Sequence, residues 1–113
     1  MLDELTQRIV AFRDERDWQQ FHSARNLATS VVIESAELLE LFQWENDSNA
    51  PEGLAAKHED LKREMADVLI YLLLLANELD IDLEAAALAK IEENEAKYPA
   101  DKARGSSRKY TEL

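Results

Sequence analysis

The run Val68-Leu-Ile-Tyr-Leu-Leu-Leu-Leu-Ala76 is the part of this chain that most restricts its fold. Read as a helix, it is apolar on nearly every side, and such a helix must be covered on nearly every side. It is far too short to cross a bilayer, which takes about 20 apolar residues. Other protein must therefore do the covering. With only 2 Gly and 2 Pro in 113 residues, helices are favoured over sheet. The length predicts one domain, residues 1–113, with a modest core. The few helices of such a chain can hardly wrap this one completely. A helical dimer or tetramer is the economical expectation, and a well-wrapped central helix is the alternative.

The pattern predicts an all-α subunit of four helices. The first runs from Leu2 to about Arg16, with Leu5, Ile9 and Phe12 as its apolar stripe. Ser23 is a suitable N-cap for the second, which runs to about Trp44. Residues 45–53 are rich in Asn, Asp, Ser, Pro and Gly and read as a loop. The third helix is expected from about Leu54 to Leu79, with Leu61, Met65, Val68, Leu72, Leu75 and Leu79 facing inward. Asp82 caps a fourth helix that ends at Tyr98, because Pro99 disfavours helical backbone in the residue before it. From about 99 to 113 the chain reads as an irregular basic tail.

Two acidic pairs adjoin these apolar stretches: Glu34-Ser-Ala-Glu37 and Glu64-Met-Ala-Asp67. The i, i+3 spacing puts both carboxylates of a pair on one side of a helix turn. Glu34 falls inside the stripe formed by Leu27, Val31, Leu38, Leu41 and Phe42. Asp60, Glu64, Asp67 and Tyr71 form a row at the edge of the third helix's stripe. Four carboxylates aimed at a core repel one another unless a cation sits among them. A buried carboxylate without a partner has its pKa raised and loses its charge. Hard divalent cations with oxygen ligands, Mg²⁺ above all, resolve the conflict. Ion pairing with Arg25, Lys62 or Arg63 is the structural alternative.

The fourth helix places Lys90 and Asn94 on the same face as Leu83, Ala86, Ala87 and Ile91, with Lys97 at its edge. These groups suit either salt bridges to the carboxylates or phosphate oxygens. The tail carries Lys102, Arg104, Arg108 and Lys109 against Asp101 and Glu112, a net of +2 on a chain of net charge −11. Such a tail could close over an anion or dock on another subunit. Trp18 and Trp44 lie outside the core stripes and suit stacking on a flat base. His22 and Tyr71 could add directional hydrogen bonds; ordinary packing is the alternative for each aromatic and for His22.

The charge argues against binding a nucleic-acid backbone. No Cys means no disulfide framework, and two His are too few for a typical zinc enzyme. The acidic start Met1-Leu-Asp-Glu-Leu lacks an apolar signal segment, so a cytoplasmic protein is expected, with no nucleic-acid or membrane partner.

The ordered segments Glu15-Arg-Asp-Trp-Gln-Gln-Phe-His22, Arg25-Asn-Leu27, Glu34 to Trp44, Asp67 to Leu72, Lys90…Asn94…Tyr98-Pro99 and Arg104-Gly-Ser…Lys109-Tyr-Thr111 resemble one family. It is the MazG-like all-α nucleoside triphosphate pyrophosphohydrolases, and within it the dCTP pyrophosphatase branch. The likeness runs from about residue 10 to the C-terminus. It implies a four-helix subunit in an intertwined dimer or dimer-of-dimers, a homodimer or homotetramer. It implies roughly one to three Mg²⁺ ions, replaceable by Mn²⁺, on the oxygen ligands of Glu34, Glu37, Glu64 and Asp67. These four are the expected catalytic residues, with Glu37 as the base that activates water. A base pocket of Trp18, His22, Trp44 and Tyr71 is implied, with completion across a subunit interface as part of the same expectation. Lys90, Asn94, Lys97, Tyr98, Arg108 and Lys109 are the implied remaining substrate contacts. Ile9 stands where relatives carry a His on the first helix. The expected reaction takes a dNTP, dCTP or a modified dCTP, to dNMP and pyrophosphate, a house-cleaning role. A broader or different preference, such as dUTP or dATP, is the runner-up. A di-iron bundle would need Glu-x-x-His motifs, which are absent, and a non-enzymatic helical interaction module would leave the inward Glu34 unexplained.

Overall fold

The computed structural model describes residues 2–45 and 50–113. Helix α1 spans Leu2–Glu15, α2 Ala24–Glu40, α3 Ala50–Ala56, α4 His58–Glu78, α5 Leu83–Lys97 and α6 Ala100–Ala103. Short 3₁₀ turns occupy Gln19–Phe21 and Tyr110–Glu112. The fold is all-helical, with no strand among the described residues. None of the described helices is long and apolar enough to cross a membrane. The chain divides into two units, Met1–Asp80 and Ile81–Leu113.

In the first unit α4 packs chiefly against α2 and also against α1. Ser23 caps α2 as its sequence suggests, accepting a hydrogen bond from the Asn26 N–H at 3.1 Å. Helix α1 closes with Asp17 in the left-handed region, φ 53°. The Trp18 N–H donates to the Arg13 carbonyl at 3.1 Å and the Asp17 N–H to the Asp14 carbonyl at 3.0 Å. This paired pattern satisfies the carbonyls left over at a helix end and sends Trp18 back over α1. The Trp18 ring meets Phe12 edge-on, with centroids 5.8 Å apart.

Three expectations for α2 and α4 change here. Helix α2 ends at Glu40 rather than near Trp44: residues 41–43 bond i to i−3, and Trp44 takes φ 70°. The helix expected from Leu54 to Leu79 is two helices, interrupted at Lys57. The physical reason is tertiary. The Lys57 ammonium donates to the Leu41 carbonyl and pairs with Glu45, each at 2.9 Å, tying the end of α2 to the break between α3 and α4. Hydrophobic periodicity carries no trace of such a side-chain-to-backbone tie. The loop expected over residues 45–53 lies partly outside the described residues and partly within α3.

The third change concerns which side of α4 is covered. Leu73, Leu74 and Ala76 are buried, and Glu64, Asp67 and Tyr71 are half-buried. Met65, Leu72 and Leu79, expected inward, are exposed, as is Leu69. The acidic row is thus part of the packed face, and much of the apolar stripe faces away from it. On α2, Leu27 is fully buried while Val31, Glu34, Leu38 and Leu41 are half-buried, as their shared stripe predicts; Phe42 is exposed. On α1, Ile9 is buried but Leu5 and Phe12 are exposed, and Arg13 is buried.

In the second unit, Asp82 caps α5 by accepting from the Ala85 N–H at 3.1 Å. Tyr98, whose backbone has left the helical region (φ −123°, ψ 69°) before Pro99, ends the helix. No residue of α5 is buried, so the inward face expected for Lys90 and Asn94 is not formed: both are exposed. The tail is not irregular throughout, since it contains α6 and the second 3₁₀ turn.

Candidate active site

Glu34 and Glu37 project from α2 and Glu64 from α4, and the three offer carboxylate oxygens all within 4.8 Å of one another. Among the described residues, Glu34 Oε2 and Glu64 Oε2 are buried without a hydrogen-bond partner. A buried acceptor left unpaired costs free energy, so the arrangement is unfavourable as an isolated set of anions. The electrostatics say the same. Glu34 has its pKa pushed up to about 7, first by burial, then by its hydrogen bond to Glu37 and the charges of Glu37, Asp67 and Glu64. Glu64 is also raised, by burial first and then by Glu37 and Asp67. Asp67 lies outside the closest trio but near enough to act on both.

Structural ion pairing does not account for this cluster. Lys62 pairs with Glu59 at 3.4 Å and Arg63 with Asp60 at 3.6 Å, each within its own stretch of α4. Among the described residues no cation is paired with any of the four carboxylates. The donor set is all oxygen, one oxygen each of Glu34 and Glu64 is buried and unpaired, and protons compete for the site. These residues fit a hard divalent cation.

A cavity of about 220 Å³ adjoins Asp67 on α4. Trp18, His22, Tyr71, Ile9 and Arg13 line it. The 3₁₀ turn places His22, whose N–H donates to the Gln19 carbonyl at 3.0 Å. The Asn26 side chain fastens that turn to α2 by donating to the Phe21 carbonyl at 3.0 Å. The His22 Nδ1 is buried without a partner. Trp18, His22 and Tyr71, three of the four residues of the expected base pocket, share one wall system with Asp67. Trp44 does not line this cavity; it is 89% exposed. Ile9 lies in the wall itself, which puts an alkyl group there.

In the second unit, Lys90 and Lys97 flank the Glu93 carboxylate at 3.2 and 3.1 Å. Glu93 is held below, and Lys97 above, its ordinary pKa, chiefly by that hydrogen bonding. Lys97 also lies 4.9 Å from the Tyr110 ring centre, and Tyr110 meets Tyr98 edge-on at 6.1 Å. The Arg108 N–H donates to the Ser106 hydroxyl at 3.2 Å, and Lys109 precedes the 3₁₀ turn. The residue that sequence reasoning missed is Arg13. Its only signal was its position one turn beyond Ile9, on the same face of α1.

The MazG-like family profile matches residues 29–113. Human dCTP pyrophosphatase 1 is 46% identical over 99% of this chain and 67% of its own length. The rat protein of the same name is 42% identical over the same shares. A crystal structure of a pyrophosphatase from Archaeoglobus fulgidus superimposes with a TM-score of 0.82 at 44% identity, covering 86% of this chain and 91% of that one. The profile thus spans α4, which carries Glu64 and Asp67, and most of α2, and the identities extend along nearly the whole sequence; the chain belongs to the MazG-like family.

Proposed function

We propose that this chain is a Mg²⁺-dependent nucleoside triphosphate pyrophosphohydrolase that converts a dNTP, with dCTP or a modified dCTP preferred, to dNMP and pyrophosphate. One observation carries the reading: the orphaned carboxylates of Glu34 and Glu64 lie in the same helix pair as Asp67, which also lines an aromatic cavity. Metal-bound phosphates and a stacked base would occupy adjoining spaces. The names of the relatives supply the substrate class.

Glu34, Glu37, Glu64 and Asp67 would hold the ion. When bound, Mg²⁺ neutralises charge on the phosphate oxygens and orients the attacking water. Glu37 is the exposed member of the carboxylate trio, so it reaches solvent and is assigned to take the water's proton. Trp18 stacks on the base, and His22 and Tyr71 hydrogen-bond it. Trp44 is assigned to the same base from a partner subunit, and its exposure suits that part. Lys90, Asn94, Lys97, Tyr98, Arg108 and Lys109 are assigned to substrate contacts, the cations to phosphate, on their chemistry alone.

The assembly is assigned as a homodimer or a dimer of dimers. Met65, Leu69 and Leu72 on α4 and Leu79 just past its end, with Val32 and Leu39 on α2, are large exposed apolar side chains. Faces of this kind are usually covered by other protein. Sedimentation equilibrium is expected to give two or four times the chain mass of 12.9 kDa; a monomer at micromolar concentration would refute the assembly.

The reaction is tested by pyrophosphate release from a panel of dNTPs and NTPs, with Mg²⁺ and with EDTA. Mg²⁺-dependent release that is fastest for dCTP is expected. Fastest release from another nucleotide keeps the reaction and overturns the preference. No release from any nucleotide refutes the function.

A further inference from the structure

We infer that Arg13 is a specificity-determining residue: its guanidinium reads the base and selects cytosine by donating to two adjacent acceptors. The inference rests on the nucleotide reading above. Arg13 is 5% exposed and is the one charged residue classed as buried among the described residues. A guanidinium does not give up its charge, so burial leaves it dependent on hydrogen bonds.

Among the described residues, its protein partners do not exhaust it. Arg13 Nε donates to Asp14 Oδ1 at 2.9 Å, and Nη2 lies 2.8 Å from the same oxygen. Both contacts therefore converge on a single atom of a half-exposed neighbour. The guanidinium carries five N–H donors in a planar fork, so most of the fork's outer edge is left for something else. Asp67 lines the same cavity but makes no ion pair with Arg13. Trp18, His22 and Tyr71 complete the walls. An aromatic-walled space with an under-used donor fork in its wall suits a flat ligand with paired acceptors on its rim.

Base chemistry then discriminates. On its Watson–Crick edge cytosine presents a ring nitrogen and a carbonyl oxygen side by side, both acceptors. Uracil and thymine place an N–H donor between their carbonyls. Adenine pairs an acceptor with a donor, and guanine pairs one acceptor with two donors. Among the Watson–Crick edges only cytosine's meets a planar double donor without setting donor against donor; guanine offers a comparable acceptor pair, O6 and N7, only on its other edge. A site that hydrogen-bonds its ligand in this way rejects an analogue that leaves it unpaired.

The test compares wild type, Arg13→Lys and Arg13→Met in kcat/KM for dCTP, dUTP and dTTP, in dCMP and dUMP affinity, and in melting temperature. In Arg13→Met, kcat/KM for dCTP is expected to fall at least about tenfold, the scale of one bidentate base contact, mostly through KM. The value for dUTP is expected to change less than about threefold, so that the preference collapses. Arg13→Lys keeps the charge but not the fork, and is expected not to restore the dCTP:dUTP ratio. Equal losses on all nucleotides, or an unchanged ratio in a variant that melts like wild type, overturn the inference. If Arg13→Met does not fold, the Arg13→Lys ratio decides. Wild type that cleaves dCTP and dUTP equally well also overturns it while leaving the reaction intact. Wild type that cleaves nothing refutes the proposed function instead, and the dCMP:dUMP affinity ratio then decides the role of Arg13.

Discussion

Glu34→Gln is expected to cut Mg²⁺-dependent turnover by at least about 100-fold, because even indirect partners of metal ligands cost 10–100-fold when removed. The same substitution is expected to raise the melting temperature of the metal-free protein. Glu34 is the member whose ionised form is most opposed by its surroundings: burial acts first, then Glu37, Asp67 and Glu64. A neutral amide of the same shape removes both the buried charge and its repulsion. A gain of roughly 2–6 °C follows if the relief is near 1 kcal/mol or below. Asp67→Asn is expected to lose turnover similarly, with a smaller thermal gain. The paired readout separates the metal role from a structural one, since a purely structural glutamate would lower both. Undiminished turnover in either variant, with Mg²⁺ titrated calorimetrically, would sink the ligand assignment.

The second large effect is a reversal with pH. Glu34 has a folded pKa of about 7 against an ordinary 4.5, and Glu64 is also raised. Between those values the folded chain binds more protons than the unfolded one. Stability contributed by these groups is therefore present at low pH and is lost as pH rises through about 7. The metal-free protein is expected to melt lower at pH 8 than at pH 5.5. Mg²⁺ needs the carboxylates ionised, so its stabilising increment should grow over the same window. Melting curves at several pH values, with Mg²⁺ and with EDTA, check both slopes. A metal-free melting temperature that is flat or rising from pH 5.5 to 8 would refute the account of the cluster.

Much of this was legible in linear order. The caps at Ser23 and Asp82 form as written, because a side chain that bonds an N–H three residues ahead depends on local sequence alone. The acidic pairs were equally visible, since i, i+3 spacing and the flanking apolar residues fix which side of each helix they share. Arg13 was not. Its charge argued for solvent, and only the closure of Trp18 and α4 around it makes it a wall of the cavity. Lys57 was hidden for a related reason: its partners Leu41 and Glu45 are more than ten residues away, and one of them is a backbone carbonyl.

The stripe on α4 marks where the two kinds of information divide. The order of residues alone makes α4 helical, gives it apolar side chains almost all round, and sets Glu64, Asp67 and Tyr71 in one row. Periodicity follows from the 3.6-residue turn and needs nothing beyond the chain. That the acidic row, rather than Met65 and Leu72, packs within the subunit follows only from how α4 meets its neighbours. A helix that is apolar on several sides has several surfaces to bury, and which one meets α2 depends on what α2 presents. Helix α2 presents Glu34 and Glu37, so the carboxylates converge across the helix pair and leave the outer apolar surface exposed.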